Sequence, residues 1–334
     1  MSQPTPLLLT RLSALGDIVH TWPLAQALSS SFRVFWLVEE RFLPLVAPHP
    51  AVTQAIPVAT RRWRKAPFSL TTWRQGRAAW ERIRALCPEV AVDPQGLLKS
   101  AAWAWLAGVP RRLGFAATHR REGLAGAFYT ETVSPSSQWV HVVDLNLALA
   151  AHLCGQAPFG SAPDASFLLP HLPPAPPEAK AVLLLPGSGQ KKKNWPVQAF
   201  AALARLLQGE GLPVTVLWGP GEKRVAEAIC QGAPGTNLAP PTQLLQLASF
   251  LAAGRAVVGG DTGPLHLAAA LGTPTVALHL TTDPQRNSPR GPKVTVLAGA
   301  KSGATGGRAR TGREREISPE EVLAAVGALL SKTR

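Results

Sequence analysis

Short apolar runs alternate along this chain with longer stretches whose apolar positions recur at helical spacing, the pattern of βα units built around parallel sheets. In the first half, runs at 7–10, 33–38, 52–57, 90–93 and 112–115 predict strands, and 18–28, 72–87, 97–106 and 142–154 predict helices. The alternation stops over 155–180. That stretch is rich in proline and small residues, including Pro173-Pro174 and Pro176-Pro177, and sustains neither a helix nor a central strand. It resumes with strands at 181–185, 213–217, 256–259 and 273–277 and helices at 197–207, 222–229, 244–253 and 264–271. A Gly- and Arg-rich stretch, 303–315, predicts a solvated loop. Ser318-Pro319-Glu320-Glu321 then supplies an N-cap, a proline at the first helical position and acidic residues in the first turn of a last helix. The expected architecture is α/β, with two Rossmann-like parallel-sheet domains, residues 1–165 and 166–318, and a C-terminal helix within 319–334. Such domains face a central cleft at the carboxyl ends of their strands, where open α/β sheets bind ligands.

Composition narrows the class. A chain of 334 residues exceeds one typical core, and 46% hydrophobic with 16% charged residues is not the make-up of a disordered chain. The longest uncharged stretches are broken by Gly, Pro and Thr, so no transmembrane segment is expected. Cys87, Cys154 and Cys230 are far apart, with no zinc-like spacing, and read as reduced structural thiols. The N-terminus lacks the features of a secretory signal, and a cytoplasmic location follows as the expectation. Thirty-four Lys and Arg against 20 Asp and Glu give a formal charge of +14. That predicts a polyanionic partner: nucleic acid, a phosphorylated substrate or an anionic membrane surface.

Four places carry candidate chemistry. The turn Ser13-Ala14-Leu15-Gly16-Asp17 joins the first strand to a helix; Asp17 is either an N-cap or an acid facing the cleft. It is not a GxGxxG fingerprint, and no P-loop occurs anywhere. The segment from Pro186 to Pro196 brings small residues and Lys191, Lys192 and Lys193 to a strand end, as a phosphate cradle or as a solvated basic loop. Asp261-Thr262-Gly263-Pro264-Leu265-His266 opens a helix whose first N–H groups suit an anion. Asp261 there is a candidate for sugar hydroxyls, and His266 is a cleft residue or a structural one. Arg61-Arg62-Trp63-Arg64-Lys65 is solvated charge, a nucleic-acid patch or a grip on an acidic acceptor. The six aspartates, Asp17, Asp93, Asp144, Asp164, Asp261 and Asp283, form no D-x-D pair, so no obvious carboxylate seat for a divalent metal exists.

Together with Val38-Glu39-Glu40, Gln95-Gly96-Leu97-Leu98-Lys99-Ser100 and Lys193-Asn194-Trp195-Pro196, these segments occur in an order that resembles the ADP-heptose:lipopolysaccharide heptosyltransferases, glycosyltransferase family 9. The resemblance covers nearly the whole chain and is closest to the type I members, which add the first heptose to Kdo. It implies a GT-B fold, with the acceptor on the N-terminal domain, the sugar nucleotide on the C-terminal one, and the last helix packed back on the first domain. It also implies inverting transfer that needs no metal and no cofactor. By the resemblance, Asp17 is the general base and Lys193 a catalytic cation. Ser188, Gly189, Lys193, Glu222, Asp261, Thr262, Gly263 and His266 hold ADP-heptose. Arg61, Arg62, Arg64, Lys65, Gln95, Lys99 and Arg121 hold an anionic Kdo-lipid A acceptor at the cytoplasmic face of the inner membrane. Ser188-Gly189 stands where type I enzymes often carry two adjacent hydroxyl residues, which leaves open a type II enzyme or another nucleotide sugar. A basic nucleic-acid-binding protein is the alternative from a different class; it accounts for the charge but not for Asp17 or the cradle at Thr262.

Overall fold

The computed structural model describes residues 4–187, 194–299 and 316–332. The chain divides into two units, Met1–Ser161 and Ala162–Arg334, four residues before the boundary expected from the proline-rich stretch. In the first unit the strands are β1 (Thr5–Thr10), β2 (Phe32–Glu39), β3 (Gln54–Val58), β4 (Val90–Asp93), β5 (Arg111–Phe115) and β6 (Glu131–Val133). They form one parallel sheet in the order β3-β2-β1-β4-β5-β6. Leu7 sits opposite Val34 on one side and Val90 on the other. Helices cover both faces, so Leu7, Leu8 and Leu9 are all buried, as a central parallel strand requires. Leu8 packs with Ala79 and Ile83 of α5 (Leu70–Ala85) and Ala104 of α6 (Leu98–Leu106).

The helix expected over 18–28 is two helices, α1 (Leu15–Val19) and α2 (Trp22–Ser29). Pro23 lacks the N–H that a continuous helix would bond back to the preceding turn, and it is tolerated because it lies in the first turn of α2. Thr21 Oγ1 closes the break by donating to the Asp17 carbonyl at 2.7 Å. The remaining helices of this unit are α3 (Leu43–Val46), α4 (Thr60–Trp63) and α7 (Val142–Cys154), the last packed on α2.

The second unit repeats the plan. Its strands β7 (Val182–Leu185), β8 (Val214–Val216), β9 (Asn237–Leu238), β10 (Ala256–Gly260), β11 (Thr275–His279) and β12 (Val294–Ala298) form a parallel sheet in the order β12-β11-β10-β7-β8-β9. Counted from the first strand of each unit, the two successions are the same, the Rossmann order. The helices are α8 (Val197–Gly209), α9 (Lys223–Gly232), α10 (Leu244–Ala253), α11 (Gly263–Ala270), α12 (Pro284–Asn287) and α13 (Pro319–Ser331). Ser318 caps α13 as expected, accepting the Glu321 N–H at 3.2 Å.

The last helix, α13, helps to build the core of the second unit. Val322, Val326 and Leu329 are buried in the core of the second unit, and α13 packs against α8 and β11 there, because its apolar stripe completes that core. Trp195 serves the same core. It is 4% exposed, meets Phe200 edge-on, and donates from Nε1 to the Ile317 carbonyl at 3.0 Å, which ties the start of α8 to the approach of α13. Replacing it by phenylalanine keeps the ring and leaves that carbonyl without its donor. Trp195→Phe is expected to lower stability by about 1–2 kcal/mol in guanidine unfolding; an unchanged midpoint would show that the bond contributes nothing.

Candidate active site

Strand order creates one switch point per unit, between β1 and β4 in the first and between β7 and β10 in the second, and the candidate residues collect at both. In the first unit Arg11 follows the last residue of β1 directly. It is 2% exposed, donates from Nη1 to the Pro94 carbonyl at 2.8 Å, and places Nη2 3.3 Å from Asp17 Oδ1. Burial pushes its guanidinium below the ordinary range, and the Asp17 charge opposes that shift. Asp17 is the third residue of α1 rather than its N-cap. Its Oδ2 accepts the Ala14 N–H at 3.2 Å and meets Arg121 Nη2 at 3.4 Å. The carboxylate therefore bridges a buried and an exposed guanidinium, while its side chain keeps 16% of its surface open.

The β4 side of this switch point is built by Asp93. Burial pushes its carboxyl up, against hydrogen bonds from Ser100, Tyr129 and the Gln95 and Gly96 N–H groups. The turn so held aims Gln95 Oε1 at the Leu12 N–H, 2.7 Å away. Gln95 is 3% exposed, and its amide oxygen joins the β1 and β4 loops.

The basic run lies on α4, at the end of β3. Buried Glu39 accepts the Thr60 hydroxyl at 2.7 Å and the Arg61 N–H at 3.0 Å, so one carboxylate holds the first turn of α4. Arg62 pairs with Glu40 at 3.1 Å, and Trp63 donates to Gln75 at 2.8 Å. Arg61, Arg64 and Lys99 line one groove of about 1000 Å³ together with Trp63 and Trp103, while Lys65 is exposed beside it. Arg61, Arg64 and Lys99 thus meet in space, and Arg121 joins Asp17 instead.

In the second unit Asp261 follows β10 and Thr262 precedes α11. Asp261 Oδ1 lies 3.1 Å from His266 Nε2, with the two side chains 10% and 4% exposed. His266 thus orients Asp261 from inside the fold. Pro264 removes one N–H from the first turn; those of Thr262 and Gly263, and Thr262 Oγ1, bond to none of the described residues. The helix is eight residues long and starts at the switch point, an arrangement whose unbonded N–H groups suit an anion. Across it, Glu222 caps α9, and its carboxylate accepts the Gly219 N–H at 2.8 Å while lying directly over Gly187, where any Cβ would collide with it. Ser188, Gly189 and Lys193, with Lys191 and Lys192, lie outside the described residues. Among those described, no group of three or more His, Cys, Asp or Glu side chains is arranged to hold a metal ion, and no helix is long and apolar enough to cross a membrane.

The sequence reading passes over Arg11 and Glu39 as site-builders and does not use Asp93. A signal existed: each is a charged residue closing an apolar run, at the carboxyl end of β1, β2 or β4, where a parallel sheet places its ligands.

Residues 77–317 match glycosyltransferase family 9 (heptosyltransferase). Over 285 residues the chain is 34% identical to lipopolysaccharide heptosyltransferase 1 of Pseudomonas aeruginosa, covering 83% of this chain and 79% of that one. The protein of the same name in Escherichia coli is 32% identical over 283 residues, covering 83% and 88%. The E. coli heptosyltransferase WaaC with ADP superposes with a TM-score of 0.81 at 28% identity, covering 97% of this chain and 100% of that one. WaaC with ADP-2-deoxy-2-fluoro heptose superposes at 0.77, covering 97% and 99%. Two Rossmann-like sheets of the same order, in a chain that follows WaaC almost end to end, define a GT-B-like glycosyltransferase. The chain belongs to glycosyltransferase family 9, the heptosyltransferases.

The Arg11–Asp17 pair has an asymmetric expected cost. Asp17→Asn removes the counter-charge of a guanidinium that water barely reaches, whereas Arg11→Met leaves a partly exposed Asp17 that still meets Arg121 and the Ala14 N–H. Urea unfolding should show D17N less stable than wild type by about 3 kcal/mol, and R11M by less. The opposite order would mean that Pro94, not Asp17, holds Arg11.

Proposed function

We propose that the chain transfers L-glycero-D-manno-heptose from ADP-heptose to a hydroxyl of Kdo in Kdo-lipid A, with inversion, without a metal ion, at the cytoplasmic face of the inner membrane. The observation that carries this reading is Asp17, a partly exposed carboxylate held between two guanidinium groups at the β1 switch point. The WaaC structures, with ADP and with a fluorinated ADP-heptose, support the donor class, and the lipopolysaccharide heptosyltransferase 1 relatives support the acceptor class.

The reaction is one displacement. The acceptor oxygen bonds to the anomeric carbon as its proton passes to Asp17, and the bond from that carbon to the β-phosphate oxygen breaks, so that ADP leaves with the electron pair. The charge gathering on ADP is met by the N–H groups of Thr262 and Gly263 at the start of α11 and by Lys193. Asp261, oriented by His266, takes heptose hydroxyls; Glu222 takes the ribose; Ser188 and Gly189 take the diphosphate. Arg61, Arg62, Arg64, Lys65 and Lys99 hold the acceptor's anionic groups, and Arg121 guides its carboxylate towards Asp17. Cations and N–H dipoles thus fill the role that a metal plays where paired carboxylates seat one, and the aspartates here offer no such pair.

Purified protein incubated with ADP-heptose and Kdo-lipid A should yield ADP and an acceptor heavier by one heptosyl group, at a rate that EDTA leaves unchanged. Loss of activity in EDTA, restored by a divalent ion, would remove the metal-independent part of the reading. Asp17→Asn, assayed well below its unfolding midpoint, should lower kcat by about 10²–10⁴-fold while ADP affinity in calorimetry stays within about threefold. Near-normal turnover would end the role of Asp17 as base. Reversing charge at Arg61 and Arg64 should raise the acceptor KM by about tenfold at low salt, with the effect shrinking as salt is added. A rise confined to the donor KM would reassign the basic run.

A further inference from the structure

The basic run is only one border of a larger surface. Residues 60–85 carry eight Arg and Lys against the single acid Glu81, half of the chain's formal charge of +14. Between the cations of α4 and Arg74 and Arg77 of α5 stand three large apolar side chains that the fold leaves in water: Phe68 is 91% exposed, Leu70 76% and Trp73 68%. Of the sixteen residues of α5 only Ala79 and Ile83 are buried. Behind this crest lies the groove of about 1000 Å³, walled by Trp63, Trp73, Trp80 and Trp103 and closed by Leu106, whose carbonyl accepts Trp80 Nε1 at 2.8 Å. Three large apolar side chains this exposed within six residues mark a place for a partner.

We propose that this surface, the α4–α5 turn and the first half of α5, is a docking surface for an anionic lipid bilayer. Phe68, Leu70 and Trp73 enter the interfacial zone, the flanking arginines and Lys65 meet lipid phosphates, and the tryptophan groove receives an acyl chain drawn from the layer. The chemistry selects that occupant. A ring of cations around exposed aromatic and aliphatic side chains is the composition that binds acidic membrane interfaces, tryptophan favouring the headgroup level and arginine keeping its charge among phosphates. A protein partner fits less well, since the centres of protein interfaces are depleted of charge. The inference extends the reading that the acceptor is lipid-linked by naming the part of the chain that meets the membrane.

The full chain is sedimented with vesicles of phosphatidylcholine alone and of phosphatidylcholine mixed with phosphatidylglycerol. Wild type is expected to bind the mixed vesicles and to bind the neutral ones much more weakly. F68S/L70S should lose about tenfold or more in partitioning to the mixed vesicles, while its unfolding midpoint and its turnover of an acyl-free, water-soluble Kdo acceptor match wild type. Phe68→Ser alone tests the same crest should the double variant melt early. Vesicle lipids with brominated acyl chains should quench wild-type fluorescence more than that of Trp73→Phe. Binding by F68S/L70S equal to wild type, equal binding to neutral and mixed vesicles, or equal quenching of Trp73→Phe would each overturn the proposal. If the vesicle results hold while no heptosyl transfer occurs to any acceptor, the heptosyl reading fails and the membrane surface stands.

Discussion

In each sheet the first strand lies between two neighbours whose crossovers leave in opposite directions, so no helix covers the space above its carboxyl end. Candidate residues of each unit collect there. At the β1–β4 gap stand Arg11, Asp17, Asp93 and Gln95; at the β7–β10 gap stand Gly187, Glu222, Asp261 and Thr262. Strand ends there leave polar backbone without a ladder partner, and side chains of either charge satisfy it. Asp93 takes two N–H groups of its own turn, and Glu39, one strand outward, takes the Arg61 N–H at the head of α4.

The two gaps use opposite electrostatics. In the first unit full charges are packed against each other: a buried guanidinium, a carboxylate and an exposed guanidinium in series. Such an array fixes geometry at a cost in desolvation, and it suits a group that must hold one position while a proton arrives. In the second unit the described donors are neutral N–H groups at the start of α11, with Asp261 held from behind by His266. Fixed dipoles of this kind suit an anionic group.

The sequence made the sheets legible where strands are central and buried. Runs such as Leu7-Leu8-Leu9 and Val257-Val258 can be nothing else at that length, and β4 and α7 fall where the apolar pattern puts them. What escaped lies at the edges. β6 and β9 are short, β9 is exposed along both of its residues, and burial had no chance to write a pattern there. β12 did carry the β-branched run Val294-Thr295-Val296, which its partly exposed setting makes easy to overlook. For the site, residue types at turn positions pointed to Asp17, Asp261 and the basic run. Motif position alone could not separate function from support. Trp195 and Gln95 stand in the same segments, yet one fills the core and the other joins two loops, since the direction of a side chain depends on contacts distant in sequence. Arg11 and Glu39 were hidden for the converse reason: a lone charge at the end of an apolar run looks like the first residue of a solvated loop.

Glu39 shows how support and function divide within one contact. An acid beside the basic run could have neutralised the nearest guanidinium. It is instead buried, 5% exposed, with both oxygens committed to the Thr60 hydroxyl and the Arg61 N–H. Its charge is spent on the start of α4, which orients the run, and the Arg61 side chain is left facing the groove. Arg41, alongside, is pushed below its ordinary range by burial and by Arg61, so the cations here are crowded against their own repulsion. Crowding of that kind persists in a fold only where backbone hydrogen bonds hold the element in place, and its release is available to whatever anion arrives.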